Sequence, residues 1–173
     1  MEDLRFPVGR FQPSKAITPE LKKVWIQEIS EAPREMRRAT TGLSDTQLDT
    51  PYRPEGWTVR QVVHHVPDSH MNSFIRFKLA LTEENPVIKP YDEASWAKLS
   101  DAAALIEPSL VLLEALHFRW TTLLTGITED QWKRTFRHPE MGERTLEQTL
   151  AIYAWHGRHH VAHVTRLRDR MGW

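Results

Sequence analysis

The densest chemistry in this 173-residue chain lies in the run His156-Gly-Arg-His159-His160-Val-Ala-His163, four histidines in eight positions. On a helix, positions three and four apart share a face, so imidazoles stacked on a buried face point to a transition-metal site. A second group, His64-His65 with His70, lies far upstream. One helix does not complete a tetrahedral site, so histidines from different helices have to meet. The chain has no cysteine, which excludes disulfides, zinc ribbons and thiol nucleophiles and leaves His, Asp and Glu as ligands. The pattern is not H-E-x-x-H, because neither His156/His160 nor His159/His163 encloses that glutamate.

A helical wheel ranks the candidates. Leu146, Leu150, Tyr153, Gly157, Val164 and Met171 centre the apolar stripe of the last helix. At 100° per residue, His160 falls about 40° from that centre, His156 about 80°, His163 about 100° and His159 about 140°. Burial thus favours His156/His160 over the equally spaced His159/His163 and turns His159 most nearly to solvent. In the upstream helix, Val59, Val62, Val63, Val66, Phe74, Phe77 and Leu81 define the stripe, with His70 near its centre, His65 at one flank and His64 well outside. Periodicity alone nominates His70 before His65. His117 lies near the inner face of another helix. A lone helical histidine is ordinarily a hydrogen-bonded core or surface residue. A pair at i,i+4 on an apolar face needs two buried partners, and a metal ion satisfies both at once.

The elements that must position these residues are well punctuated. Thr18-Pro19-Glu20 supplies an N-cap and a first-turn proline for a helix through Leu21, Val24, Trp25, Ile29 and Met36, which Pro33 is expected to kink or split. Thr58-Val-Arg-Gln61 and Thr145-Leu-Glu-Gln148 are capping boxes that open apolar-periodic runs over 59–82 and 146–170. Pro108 opens a fourth run through Leu110, Leu113, Leu116, His117, Trp120, Leu123 and Leu124. A weak repeat relates Gly42-Leu-Ser44-Asp-Thr-Gln47-Leu48 to Gly126-Ile-Thr128-Glu-Asp-Gln131-Trp132. Each half therefore reads as long helix, short capped turn, loop, long helix, which predicts a bundle of two related hairpins. The stretch 83–107, with Pro86, Pro90 and a Tyr91-Asp92-Glu93 cluster, is a crossover connection or a lid. No strand-like alternation is evident. The expected fold is all-α, a four-helix bundle with a long crossover loop between the two helical hairpins, in a single domain over 1–173.

Composition bounds the partners. The 23 basic and 23 acidic side chains cancel, so no net field draws the chain to nucleic acid or anionic membrane. Arg166-Leu-Arg168-Asp-Arg170 reads as a solvated helix end. No apolar stretch approaches the roughly 20 residues of a membrane span, and the N-terminal Met-Glu-Asp-Leu-Arg-Phe-Pro lacks the apolar core of a signal peptide. A cytoplasmic protein is the expectation.

The stretch Gly56-Trp57-Thr-Val-Arg60-Gln-Val-Val-His64-His65-Val66-x-Asp68-Ser69-His70-Met71-Asn72, followed by Arg76-Phe-Lys78 and Leu81-Thr82-Glu83, resembles the YfiT-like branch of the DinB-like metalloprotein superfamily. Pro90-Tyr91-Asp92 and the ending Tyr153-x-Trp155-His156-x-x-His159-His160-x-x-His163 extend the likeness over nearly the whole chain. The resemblance implies a four-helix bundle, usually a homodimer, holding one divalent transition metal per chain, zinc first and nickel as the alternative. It implies as ligands the histidine eight residues after the tryptophan that opens the second helix, His65, and the H-x-x-x-H of the last helix, His156 and His160. It thereby overrules the wheel for the second helix and leaves His70 beside the metal shell or in the substrate pocket. The superfamily usually carries Arg-Gly-Gln after the last ligand, where this chain has Val161-Ala162-His163, so His163 departs from the pattern.

Three imidazoles leave a coordination position open for chemistry. The resemblance then implies a thiol S-transferase that conjugates bacillithiol, a low-molecular-weight thiol, to an electrophile. The alternatives are a metal-dependent hydrolase using activated water and a non-enzymatic metal-binding bundle. Asp68 is a candidate carboxylate partner for a ligating imidazole. Arg60, Arg76 and Arg158 are candidates for contacts to an anionic substrate.

Overall fold

The computed structural model describes residues 3–173. Its four long helices are α1 (Pro19–Thr40), α3 (Val59–Thr82), α5 (Glu107–Thr125) and α7 (Leu146–Met171), with one-turn helices α2 (Asp45–Leu48), α4 (Glu93–Trp96) and α6 (Glu129–Trp132) between them. The predicted caps operate. Thr18 accepts from the backbone N–H of Leu21, and Ser44, Thr58, Thr128 and Thr145 each close a reciprocal capping box with the glutamine three residues on. The repeated Ser44 and Thr128 motifs both form short capped turns. α1 runs unbroken through Pro33, because Ile29, Ala32, Pro33 and Met36 are all buried on the face that packs into the bundle.

The long helices make a four-helix bundle whose halves interleave. α1 packs on α5 and α7, and α3 packs on the same two helices. The two long helices of each sequence half therefore stand on opposite corners of the bundle rather than side by side as a hairpin. This arrangement makes α3 and α7, the two histidine-bearing helices, direct neighbours. Two apolar clusters fill the interior. One gathers Phe77, Trp120, Leu146 and Leu150, and the other Met36, Val62, Leu113 and Val164. Burying each such side chain contributes about 1.5–3 kcal/mol. Along α7 the segment 156–163 falls between the residues of the two clusters, and along α3 His70 does the same.

An all-α expectation missed one element. β1 (Thr135–His138) and β2 (Gly142–Thr145) form an antiparallel hairpin just before α7. Four residues are too few for period-two alternation to register in sequence, although Phe136 and His138 are buried and Arg137 between them is exposed. The crossover segment is pinned to this hairpin, with Ile88 N–H donating to the Arg137 carbonyl at 3.0 Å and Arg137 N–H to that of Pro86 at 2.9 Å. No described helix is long and apolar enough to cross a membrane.

Candidate metal centre

His65 on α3 and His156 and His160 on α7 converge. The Nε2 atom of His156 lies 3.4 Å from Nε2 of His65 and 3.2 Å from Nε2 of His160, and one ring nitrogen from each of the three lies within 4.8 Å of the others. Two imidazole nitrogens on one zinc-like ion, each about 2.0–2.1 Å away at the tetrahedral angle, stand about 3.3 Å apart. The donor set and its spacing therefore fit a divalent transition metal. Burial holds the His65 ring down to about 4 and keeps His156 and His160 well below the ordinary imidazole range. All three thus present neutral rings at neutral pH, the form that binds metal.

The remaining histidines are not bystanders. His70, fully buried, sits with Nε2 at 2.9 Å from Nδ1 of His156 and Nδ1 at 2.7 Å from Nε2 of His117. The wheel was therefore right that His70 points inward, although its nitrogens meet other histidines rather than the centre. His163 lies behind His160, with their Nδ1 atoms 3.3 Å apart. Its ring stacks on Tyr52 at a centroid distance of 3.9 Å. A second group, His159, His160 and His163, also has donor atoms within 4.8 Å of one another.

The expectation that His159 faces solvent is overturned: it is 7% exposed. The segment that precedes α1 lies over it, where the wheel of an isolated helix shows only water. Phe6 packs on its ring, Trp155 stacks against it at 4.3 Å, and the Trp155 indole N–H donates to the Gly9 carbonyl. His64, placed well outside the stripe, is half-buried against Ser109 and the Ala104 carbonyl. Asp68 makes no hydrogen bond with His65. Its carboxyl lies with His64, His65 and Tyr91 beside a small cleft, and burial raises it to about 6.

Of the three arginines suggested for substrate, one borders the centre. Arg76 lines a cavity of about 350 Å³ that opens onto His156. Arg60 instead clamps the α2 turn, donating to Asp45 at 2.8 Å and Asp49 at 2.7 Å. Arg158 points outward to Glu28 at 3.2 Å. Both are structural ion pairs, and a wheel of one helix carries no information on the α2 turn or on α1, which supply their partners. The cavity's walls come from α3, the crossover segment, the hairpin and α7, with Tyr91, Phe136, His138, Arg144 and Tyr153 among them. Sequence reasoning missed His138 and Arg144 because it missed the hairpin. Burial and the neighbouring Arg76 hold His138 below its ordinary range, and burial raises Glu93 against the pull of Arg76. Arg144 keeps a buried Nε without a hydrogen-bond partner. The cavity thus joins a metal-competent edge to an apolar wall and two guanidinium groups.

A sequence model of the DinB superfamily matches residues 28–164, the span that carries all three converging histidines. The chain belongs to the DinB superfamily. It is 56% identical over its full length, and theirs, to proteins of Bacillus cereus (strain 03BB102) and Bacillus thuringiensis subsp. konkukian (strain 97-27), each named "Putative metal-dependent hydrolase". Its fold superposes with a TM-score of 0.96 on YfiT from Bacillus subtilis, at 52% identity and with 99% of each chain covered. That structure is described as a probable metal-dependent hydrolase with an unusual four-helix bundle topology. TT2238, a four-helix bundle protein, shares the fold alone, with a TM-score of 0.56 at 16% identity.

Proposed function

We propose that the chain is a metal-dependent enzyme whose centre is His65, His156 and His160, and that it joins a low-molecular-weight thiol of the bacillithiol class to an electrophile. The observation that carries this reading is the convergence of three Nε2 atoms at the edge of a 350 Å³ cavity. Three protein ligands leave room for a reactant. When bound, the ion supplies Lewis-acid chemistry, lowering the pKa of a thiol or a water at the open position. The chain's own residues do the rest. Phe136, Ile152 and Tyr153 exclude water from one wall, and Arg76 and Arg144 offer charge-assisted hydrogen bonds to an anionic group of the substrate. In conjugation the thiol gives up its proton, the sulfur forms a bond to carbon, and the leaving group departs with the electron pair. The absence of cysteine is consistent, since the sulfur arrives with the cosubstrate.

Zinc is the first choice of ion and nickel the second, on the nitrogen donor set. A homodimer in the cytoplasm is the proposed setting. Metal-loaded protein incubated with bacillithiol and monochlorobimane is expected to form the conjugate faster than metal-free protein, and equal rates would overturn the transferase reading. The names of the Bacillus relatives favour a second reading, metal-dependent hydrolysis. Turnover of an ester or amide panel without thiol, abolished by chelation, would select it. Tight metal binding with no turnover in either assay would leave a non-enzymatic metal-binding bundle.

A further inference from the structure

Pro33 has no N–H, so the carbonyl four residues before it in α1, that of Ile29, lacks its helical donor. That carbonyl accepts a hydrogen bond from Nδ1 of His117 on α5. A carbonyl only accepts, so Nδ1 of His117 carries the proton and Nε2 is a bare acceptor. Its partner at 2.7 Å, Nδ1 of His70, must then be protonated, which leaves Nε2 of His70 bare. The next contact, at 2.9 Å, makes Nδ1 of His156 the donor and bares Nε2 of His156, the atom at the centre. The reverse polarity would need a buried imidazolium at His117, 1% exposed, whose nitrogens face a carbonyl and another imidazole rather than a carboxylate.

A second chain reaches the same result from the opposite side. Nε2 of His163 faces the Arg5 carbonyl at 3.2 Å and must donate, so its Nδ1 accepts from Nδ1 of His160 at 3.3 Å and Nε2 of His160 is bare. The two bare nitrogens of His156 and His160 stand 3.2 Å apart, where lone pair meets lone pair. A shared cation satisfies both at once.

We propose that these two carbonyl-anchored histidine chains, Ile29–His117–His70 and Arg5–His163, are positioning devices that hold His156 and His160 as Nδ1–H tautomers, aiming both Nε2 lone pairs at the centre before any ion arrives. His117, His70 and His163 are positioning residues, and Pro33 releases the carbonyl that anchors the longer chain. The proposal rests on the ligand assignment above. It assigns a task to a helix-interior proline and to His163, where this chain departs from the superfamily pattern.

Histidine-labelled, metal-free full-length protein at neutral pH, read by long-range proton–nitrogen correlation NMR, tests it directly. His156 and His160 are both expected as single Nδ1–H tautomers, and an Nε2–H tautomer at either overturns the proposal. His117→Phe is expected to mix the His156 tautomers and weaken Co²⁺ binding by about ten- to hundredfold, as loss of an outer partner of a ligating histidine does, while His160 stays unchanged. His163→Phe is expected to do the converse. An unaltered tautomer at the linked ligand in a folded variant overturns the corresponding chain. Should either variant not fold, the unsubstituted protein still decides the matter. Both tautomers in place without Co²⁺ binding would uphold the positioning chains and count against the metal reading alone.

Discussion

His65 and His156, from helices that stand side by side in the bundle, face each other through Nε2 atoms 3.4 Å apart. That separation lets both nitrogens bind one ion. Replacing His65, His156 or His160 by alanine is therefore expected to weaken metal binding by more than about a hundredfold, beyond the range of an outer-sphere change. Competition with a chromophoric chelator measures it.

His159→Ala separates the centre from its surroundings. The ring packs between Trp155 and Phe6 and its Nδ1 has no hydrogen-bond partner. We expect metal affinity to change less than tenfold, with a stability loss of about 1 kcal/mol in urea unfolding. A loss of metal as large as that of His160→Ala would move the centre to His159, His160 and His163.

Acid should destabilise the metal-free protein in a defined window. Burial holds His65, His117, His159 and His163 down to about 4 in the fold, against 6.5 when solvated. Between those values the unfolded chain binds more protons than the native one, so stability falls as pH drops from about 6.5 towards 4 and is level above it. Thermal melts across pH 4–8 test the sign. Bound metal competes with protons for the same nitrogens and should flatten the upper part of that fall.

Gly157 sets how closely α7 approaches α1. A Cβ at that position would lie 3.1 Å from Cβ of Ala32 and 3.8 Å from Cε1 of His70. Gly157→Val is expected to cost about 1–3 kcal/mol by overpacking. That corresponds to about 2–4 °C of Tm for each kcal/mol in a chain of this size. It should also disturb His156 through its neighbour His70.

The arginines should divide into two classes. Arg60→Ala removes the partner of Asp45 and Asp49 and is expected to lower stability by about 1–2 kcal/mol with KM unchanged. Arg76→Ala and Arg144→Ala open the cavity wall and are expected to raise KM about tenfold for an anionic substrate, as a lost charge-assisted hydrogen bond does. Steady-state kinetics beside urea unfolding distinguishes the two.

What the sequence by itself determined was local. Caps at Thr18, Thr58 and Thr145 and the 3.6-residue stripes located the long helices, because both signals arise from backbone groups and neighbours within a few positions. The i,i+4 spacing of His156 and His160 put two imidazoles on one side of α7. The hairpin Thr135–Thr145 escaped notice because its strands are too short to show a period. The placement of His159 failed because a wheel sees one helix and not the chain segment that covers it. Only the tertiary structure decided that α3 and α7 are neighbours, that His65 meets His156 while His70 meets His117, and that Arg60 serves Asp45 and Asp49 rather than a substrate. It alone set the hydrogen-bond polarity running from the Ile29 and Arg5 carbonyls to the bare nitrogens of His156 and His160. Which nitrogen of an imidazole carries the proton depends on the groups that other segments place against it, and no spacing within one helix contains that information.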